Sequence, residues 1–131
     1  MGRSNPRAGG QVNHLESKHQ QHVFRWAREL SGCIPELGLL YAIPNGGKRN
    51  PREAGRLKLE GVKAGVPDMC LPVALGGWHG LYIELKAEKG KATIEQRSWL
   101  EALEQQHYRA ILCHGSNAAI DAICGYLGIP I

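Results

Sequence analysis

Three side chains in the middle of this 131-residue chain carry the strongest chemical signal: Asp68, then Glu84 and Lys86 in the run LYIELKAEKG. In an extended segment successive side chains alternate faces. Over Leu81 to Ala87 that puts Tyr82, Glu84 and Lys86 on one face and Leu81, Ile83 and Leu85 on the other. If Asp68 opens the adjoining strand of a hairpin, its carboxylate comes close to Glu84. Two carboxylates in a partly buried place repel each other unless one is protonated or a cation is bound. Carboxylates with a backbone carbonyl are the hard oxygen donors that Mg²⁺ prefers while it keeps waters. A lysine beside such a water can orient it or stabilise negative charge developing on a phosphate. The competing reading makes Glu84 and Lys86 a same-face surface pair and Asp68 a turn residue, the common fate of an isolated D…ExK pattern. Against it stand the wholly apolar opposite face of the strand and Pro67, which fixes the chain just before Asp68.

The elements that must position these groups are marked by periodicity and punctuation. Residues 1–12 are rich in Gly, Arg, Asn and Pro without periodicity and read as a mobile, mildly basic arm, leaving 13–131 as one domain. A first helix is expected from an Asn13 N-cap to about Leu30, with Glu16 at its third position and Val23, Ala27 and Leu30 on its apolar stripe. LGLLYAI, residues 37–43, reads as a largely buried strand. Asn50-Pro51-Arg52-Glu53 starts a short helix that Gly61 stops. Asp68 to Ala74 and Gly80 to Ala87 form a hairpin, Thr93 caps a helix to about Gln106, Tyr108 to Cys113 is a strand, and Asn117 to Leu127 closes as a helix. That order predicts a single α/β domain with a mixed sheet covered on both faces. With 43% apolar and 21% charged residues the chain has the balance of one soluble domain. No run approaches a membrane span and no signal-like stretch opens the chain, so the cytosol is expected. Cys33, Cys70, Cys113 and Cys124 show no CxxC spacing and read as reduced, mostly buried thiols.

Gly65-Val66-Pro67-Asp68, Glu84-Leu85-Lys86, Gly90-Lys91 and Gln96, with the earlier Tyr41-Ala42-Ile43-Pro44-Asn45-Gly46-Gly47, resemble the VRR-NUC (virus-type replication-repair nuclease) domain of the PD-(D/E)XK nuclease superfamily. The resemblance covers about Glu16 to Leu127 and is to the stand-alone phage and bacterial form. It implies a restriction-endonuclease-like core, a mixed four-stranded sheet flanked by helices, and a Mg²⁺- or Mn²⁺-dependent DNA endonuclease. It further implies branched DNA as substrate, four-way (Holliday) junctions in particular, and a homodimer whose two-fold axis relates two cutting sites. Under the resemblance Asp68 and Glu84 match the metal-binding carboxylates, the Leu85 carbonyl joins them, and Lys86 matches the catalytic lysine. Gln96 matches the family's helix glutamine and Glu16 its first-helix acid. Two alternatives stay open: a non-catalytic nucleic-acid-binding module, and a nuclease of linear or nicked duplex.

Gln96 and Glu16 each have a second reading. Thr93-Ile94-Glu95-Gln96 is also a capping box, in which Gln96 reaches back to the Thr93 amide. Yet Gln96 shares the inward face with Leu100 and Leu103, and the two roles can coexist. Glu16 lies on the stripe of Val23, Ala27 and Leu30, where an acid either caps its helix or reaches a metal. Lys48, Arg49, Arg52, Arg56, Lys58 and Lys63 face only Glu53 and Glu60, so this segment carries an excess equal to the chain's whole +4. It is either a solvated helix face or a phosphate-contact surface. Asn45-Gly46-Gly47 lets backbone approach a phosphate, and the helix start at Asn50 adds a positive dipole end. Lys48, Arg49 and Arg52 lead as DNA contacts, followed by Lys58 and Lys63. His19 and His22 could suggest zinc with Glu16, but no partner at ligand spacing follows, so a helix surface or DNA contact is preferred. Trp78-His79 either stacks on a base or packs on its neighbouring loop, and Trp26 and Trp99 read as core or interface.

Overall fold

The computed structural model describes the backbone of residues 6–44 and 50–130, and side chains over 14–44 and 50–130. Helix α1 (Pro6–Leu30) starts at a proline, which suits a first helical position because its missing N–H would find no intrahelical partner there. The expected N-cap at Asn13 is therefore corrected. Asn13 and Glu16 lie inside the helix, and of the expected arm, residues 6–12 are helical while 1–5 lie outside the described residues. The predicted stripe buries Val23 and Ala27, with Phe24, Trp26 and Leu30 packed at its margins.

The strand expected over 37–43 is largely a 3₁₀ turn, Pro35–Leu39, followed by a two-residue strand β1 (Tyr41–Ala42). Proline opens that turn. Leu37 and Leu40, three residues apart and both buried, match its three-residue repeat, whereas Leu39 and Tyr41 are exposed. Asn50 caps α2 (Pro51–Leu59) by accepting from the Glu53 N–H at 2.8 Å. Strands β2 (Met69–Leu71) and β3 (Leu81–Lys86) form the expected antiparallel hairpin, shorter than the sequence suggested. Helix α3 (Ile94–Gln105) crosses to β4 (Arg109–His114), which pairs parallel to β3, and α4 (Ser116–Leu127) follows. The sheet order is β1-β2-β3-β4, so the fold is α/β with a mixed four-stranded sheet flanked by helices.

Register assigns the two faces. Met69 opposes Ile83, and Ile83 opposes Ile111, so these side chains lie with Leu71, Leu81, Leu85 and Cys113 on the face that meets Val23 and Ala27 of α1 and Ala119 and Ile123 of α4. Cys70, Tyr82, Glu84 and Lys86 point to the other face, which α3 covers in part. Cys70 is buried there, and so are the charged Glu84 and Lys86. His19 and His22 fasten α1 to the start of α4: His22 Nδ1 lies 2.7 Å and His19 Nδ1 3.3 Å from Ser116 Oγ, and the Ser116 N–H donates to His19 Nδ1 at 3.0 Å. The cysteines are all free thiols, and Cys70, Cys113 and Cys124 are buried as expected. Burial pushes the Cys113 thiol up to about 11, so it behaves as an apolar core residue. Among the described residues no helix is long and apolar enough to cross a membrane.

Candidate active site

The site starts from the turn before β2. Gly65 adopts φ +88°, and a Cβ there would lie 2.7 Å from the backbone carbon and the Cβ of Glu95, so only glycine lets this turn pass against the first turn of α3. Buried Pro67 then delivers Asp68, whose N–H donates to the Ile83 carbonyl at 3.0 Å. Asp68 Oδ2 accepts the Leu85 N–H at 2.7 Å. This bond anchors the carboxylate at the level of β3 where, continuing the hairpin register, it opposes Glu84.

Glu84 is 2% exposed. Its Oε1 accepts from Gln96 Nε2 at 2.8 Å and lies 3.9 Å from Lys86 Nζ. Its Oε2 is buried and has no hydrogen-bond partner among the described residues. Burial first, then the neighbouring Asp68 charge, push the Glu84 carboxyl up to about 8 against the pull of Lys86. Asp68 is also raised, by burial first, although the Leu85 N–H favours its ionised form. Negative charge at Glu16 adds to both shifts. Two adjacent carboxyls with raised pKa, one holding an unpartnered buried oxygen, form a site short of positive charge. A divalent cation fits that deficit, with Asp68 and Glu84 as its side-chain donors. Among the described residues no three His, Cys, Asp or Glu side chains converge to hold an ion. The set is that of a hard cation retaining waters, not of a zinc cage.

Gln96 closes the expected capping box and also turns its amide toward the carboxylates. Its Oε1 accepts from the Thr93 N–H at 2.8 Å while Thr93 Oγ1 accepts from the Gln96 N–H at 3.1 Å, closing the capping box, and its amide nitrogen faces Glu84. That nitrogen reaches Glu84 and not Lys86. Lys86 is positioned by the following turn: a Cβ on Gly90 would lie 3.2 Å from Lys86 Cβ and 3.3 Å from its Cδ, so the Gly90 backbone closes over the lysine stem. The Gly115 N–H donates to the Lys86 carbonyl at 2.8 Å, and His114 Nε2 is 2.8 Å from the Gly90 carbonyl oxygen.

Asp68 and Leu85 form one wall of an open cleft of about 590 Å³ whose other wall is α1, with Glu16 toward one end. The structure thus brings Asp68, Glu84, Leu85, Lys86, Gln96 and Glu16 to one neighbourhood. Arg52, Lys58 and Lys63 are exposed but line no part of this cleft, and Asn45, Gly46, Gly47, Lys48 and Arg49 lie outside the described residues. Helix α2 buries no residue, and Arg56 pairs with Glu60 at 3.1 Å on its exposed surface. Trp78 lies 5.9 Å from the Arg109 guanidinium, and His79 meets the His107 and Tyr108 rings edge-on. Helix α1 also places Arg25 and Arg28, which are not among the expected site residues, on the cleft wall. Their signal was available as cations one turn apart on the helix that carries Glu16.

The family model of the VRR-NUC domain matches residues 8–117. The chain is similar to a solved VRR_NUC domain protein, with a TM-score of 0.72 and 28% identity, over 88% of this chain and 89% of that one. Among curated proteins none matches.

Proposed function

The chain belongs to the VRR-NUC domain family and is thereby a nuclease of the PD-(D/E)XK type, and from that premise we propose a metal-dependent, structure-selective DNA endonuclease acting on four-way junctions. The observation that carries the metal requirement is the buried, unpartnered Oε2 of Glu84 beside Asp68. Asp68 and Glu84, with the Leu85 carbonyl, would hold Mg²⁺ or Mn²⁺, and Glu16 lies near enough to add negative charge to the same centre. Bound there, the cation supplies charge neutralisation of the phosphodiester and makes water a stronger nucleophile.

The chain's own groups do the rest. Asp68 is held at β3 by the Leu85 N–H, so its orientation is set before anything binds. Gln96 holds Glu84 Oε1 by its amide and leaves Oε2 free to coordinate. Lys86, with its side chain only 11% exposed, presents its ammonium at the edge of this carboxylate pair, where it can orient water and meet charge developing on phosphate oxygens. Exposed Arg52, Lys58 and Lys63, with Lys48, Arg49 and the Asn45-Gly46-Gly47 backbone, are proposed contacts to DNA phosphates.

Branched DNA and a homodimer complete the reading. Among the described residues one chain carries one such site, and two chains related by a two-fold axis would present two sites to the symmetric strands of a junction. The free cysteines suit a reducing cytosol, the proposed location. Cleavage of a labelled four-way junction beside matched linear duplex in Mg²⁺ or Mn²⁺ tests the substrate. Paired cuts confined to the junction support it, and equal cutting of the duplex removes the structure selectivity.

A further inference from the structure

The cleft beside Asp68 is charged in two parts. Glu16 and Asp68 bring negative charge to its lining, and Arg25 and Arg28 line the same cleft from α1, with Gln20 and Gln21 between Glu16 and the arginines along the helix. A rise of about 1.5 Å per residue sets Arg25 and Arg28 roughly 13 and 18 Å from Glu16 along the helix axis. Among the described residues neither guanidinium has an ion-pair partner, and both arginines are exposed. Two unpaired cations one turn apart on a helix repel each other mildly, an arrangement that an anion between them relieves. Arginine is also the side chain whose planar fork suits phosphate oxygens. The amides of Gln20 and Gln21 add neutral donors of the kind that contact phosphate and sugar.

We infer that Arg25 and Arg28 form a second phosphate clamp, which holds the cut DNA strand at phosphodiesters flanking the one at the carboxylates, so that this strand runs lengthwise along α1. The inference rests on the nuclease reading, because it takes the strand's direction from the position of Asp68. The cleft is continuous from the carboxylates to the arginines, and a strand whose phosphodiester sits at Asp68 leaves along it. Arg25 and Arg28 stand nine and twelve residues beyond Glu16 on α1, so they are assigned to positioning the strand and not to the reacting phosphate. This surface is separate from the basic stretch around α2, whose described cations line no part of the cleft.

The test is fluorescence polarisation of a labelled four-way junction in EDTA from about 50 to 300 mM salt. Wild type is compared with the double variants Arg25→Gln/Arg28→Gln and Arg25→Lys/Arg28→Lys, with circular dichroism and Tm reporting the fold. Loss of two phosphate contacts lowers the slope of log K against log salt by about 1.8 and weakens binding at least about tenfold at 100 mM, while the lysine variant restores the slope. A glutamine variant that keeps the wild-type slope overturns the clamp. So does a loss of slope in either variant that comes with a loss of Tm and circular dichroism, which would make the arginines merely structural. Parallel incubation of wild type in Mg²⁺ or Mn²⁺ separates the two claims: an arginine-dependent slope without cutting defeats the nuclease reading alone, and cutting with an arginine-independent slope defeats the clamp alone.

Discussion

The amide nitrogen of Gln96 donates to Glu84 Oε1 at 2.8 Å while the oxygen of the same amide accepts the Thr93 N–H at 2.8 Å. One side chain therefore closes the first turn of α3 and fixes the orientation of a buried carboxylate. Gln96→Ala removes both bonds and is expected to cost about 1 kcal/mol of stability, as loss of a cap does, together with at least about tenfold in cleavage rate. Gln96→Glu keeps the oxygen that faces Thr93 but sets a further carboxylate against Glu84. Its Tm at pH 5 should stay near wild type while cleavage is lost, and thermal melts beside single-turnover rates check the split.

The raised pKa of Glu84 makes the metal-free fold sensitive to alkali. Its value of about 8 exceeds the ordinary carboxyl value, so the stability it contributes is complete below the ordinary value and disappears as pH rises through 8. Asp68 shifts in the same direction. In EDTA the Tm should fall on the order of 5 °C between pH 5 and 8.5, and Mn²⁺ should recover much of that loss at the upper end by binding the ionised pair. Glu84→Gln should flatten the profile and raise the EDTA Tm at pH 8.5 above wild type while losing the Mn²⁺ response. A profile in wild type that rises across this window would contradict the burial of an unneutralised pair.

Those two residues also show how far the sequence could be read. The alternation in LYIELKA put Glu84 and Lys86 on one face, their nearness to Asp68 followed only if Asp68 opened the paired strand, and the Thr93 and Asn50 caps marked two helix starts to the residue, because capping is a local interaction of adjoining positions. Residues 37–43 misled because Leu37 and Leu40 are buried three apart on a 3₁₀ turn, a period that a short apolar run does not separate from a strand. The start of α1 was missed because residues 1–12, rich in Gly, Arg, Asn and Pro, show no helical periodicity, whereas the helix runs back to Pro6. Arg25 and Arg28 look like any solvated helix face until Asp68 and Leu85, far along the chain, are brought opposite them.

Gly65 is a point where backbone freedom serves the site directly. Gly65→Ala would demand φ +88° of a residue with a Cβ and push that Cβ to 2.7 Å from Glu95. A loss of about 2–4 kcal/mol is expected. Displacement of the α3 start should also move Gln96 off Glu84, so chemical denaturation and cleavage rate should both report damage.

Ser116 joins two histidines of α1 to the start of α4. Ser116→Ala takes away the hydroxyl 2.7 Å from His22 Nδ1 but leaves the backbone N–H that donates to His19. A cost of about 1 kcal/mol follows from loss of one hydrogen bond, or a Tm drop of roughly 3 °C. His19→Ala, which loses the backbone bond as well, should fall further.

The central claim is that Asp68 and Glu84 make a cation site at which Lys86 supports phosphodiester hydrolysis. Its most direct test is cleavage of a labelled four-way junction by wild type, Asp68→Asn and Lys86→Ala in Mg²⁺, in Mn²⁺ and in EDTA, with junction binding measured on the same preparations. The account predicts cutting by wild type in either metal and none in EDTA, with both variants folded, binding DNA and reduced at least about a hundredfold in rate. Binding by wild type without cutting in either metal, or cutting that survives Asp68→Asn, would contradict it.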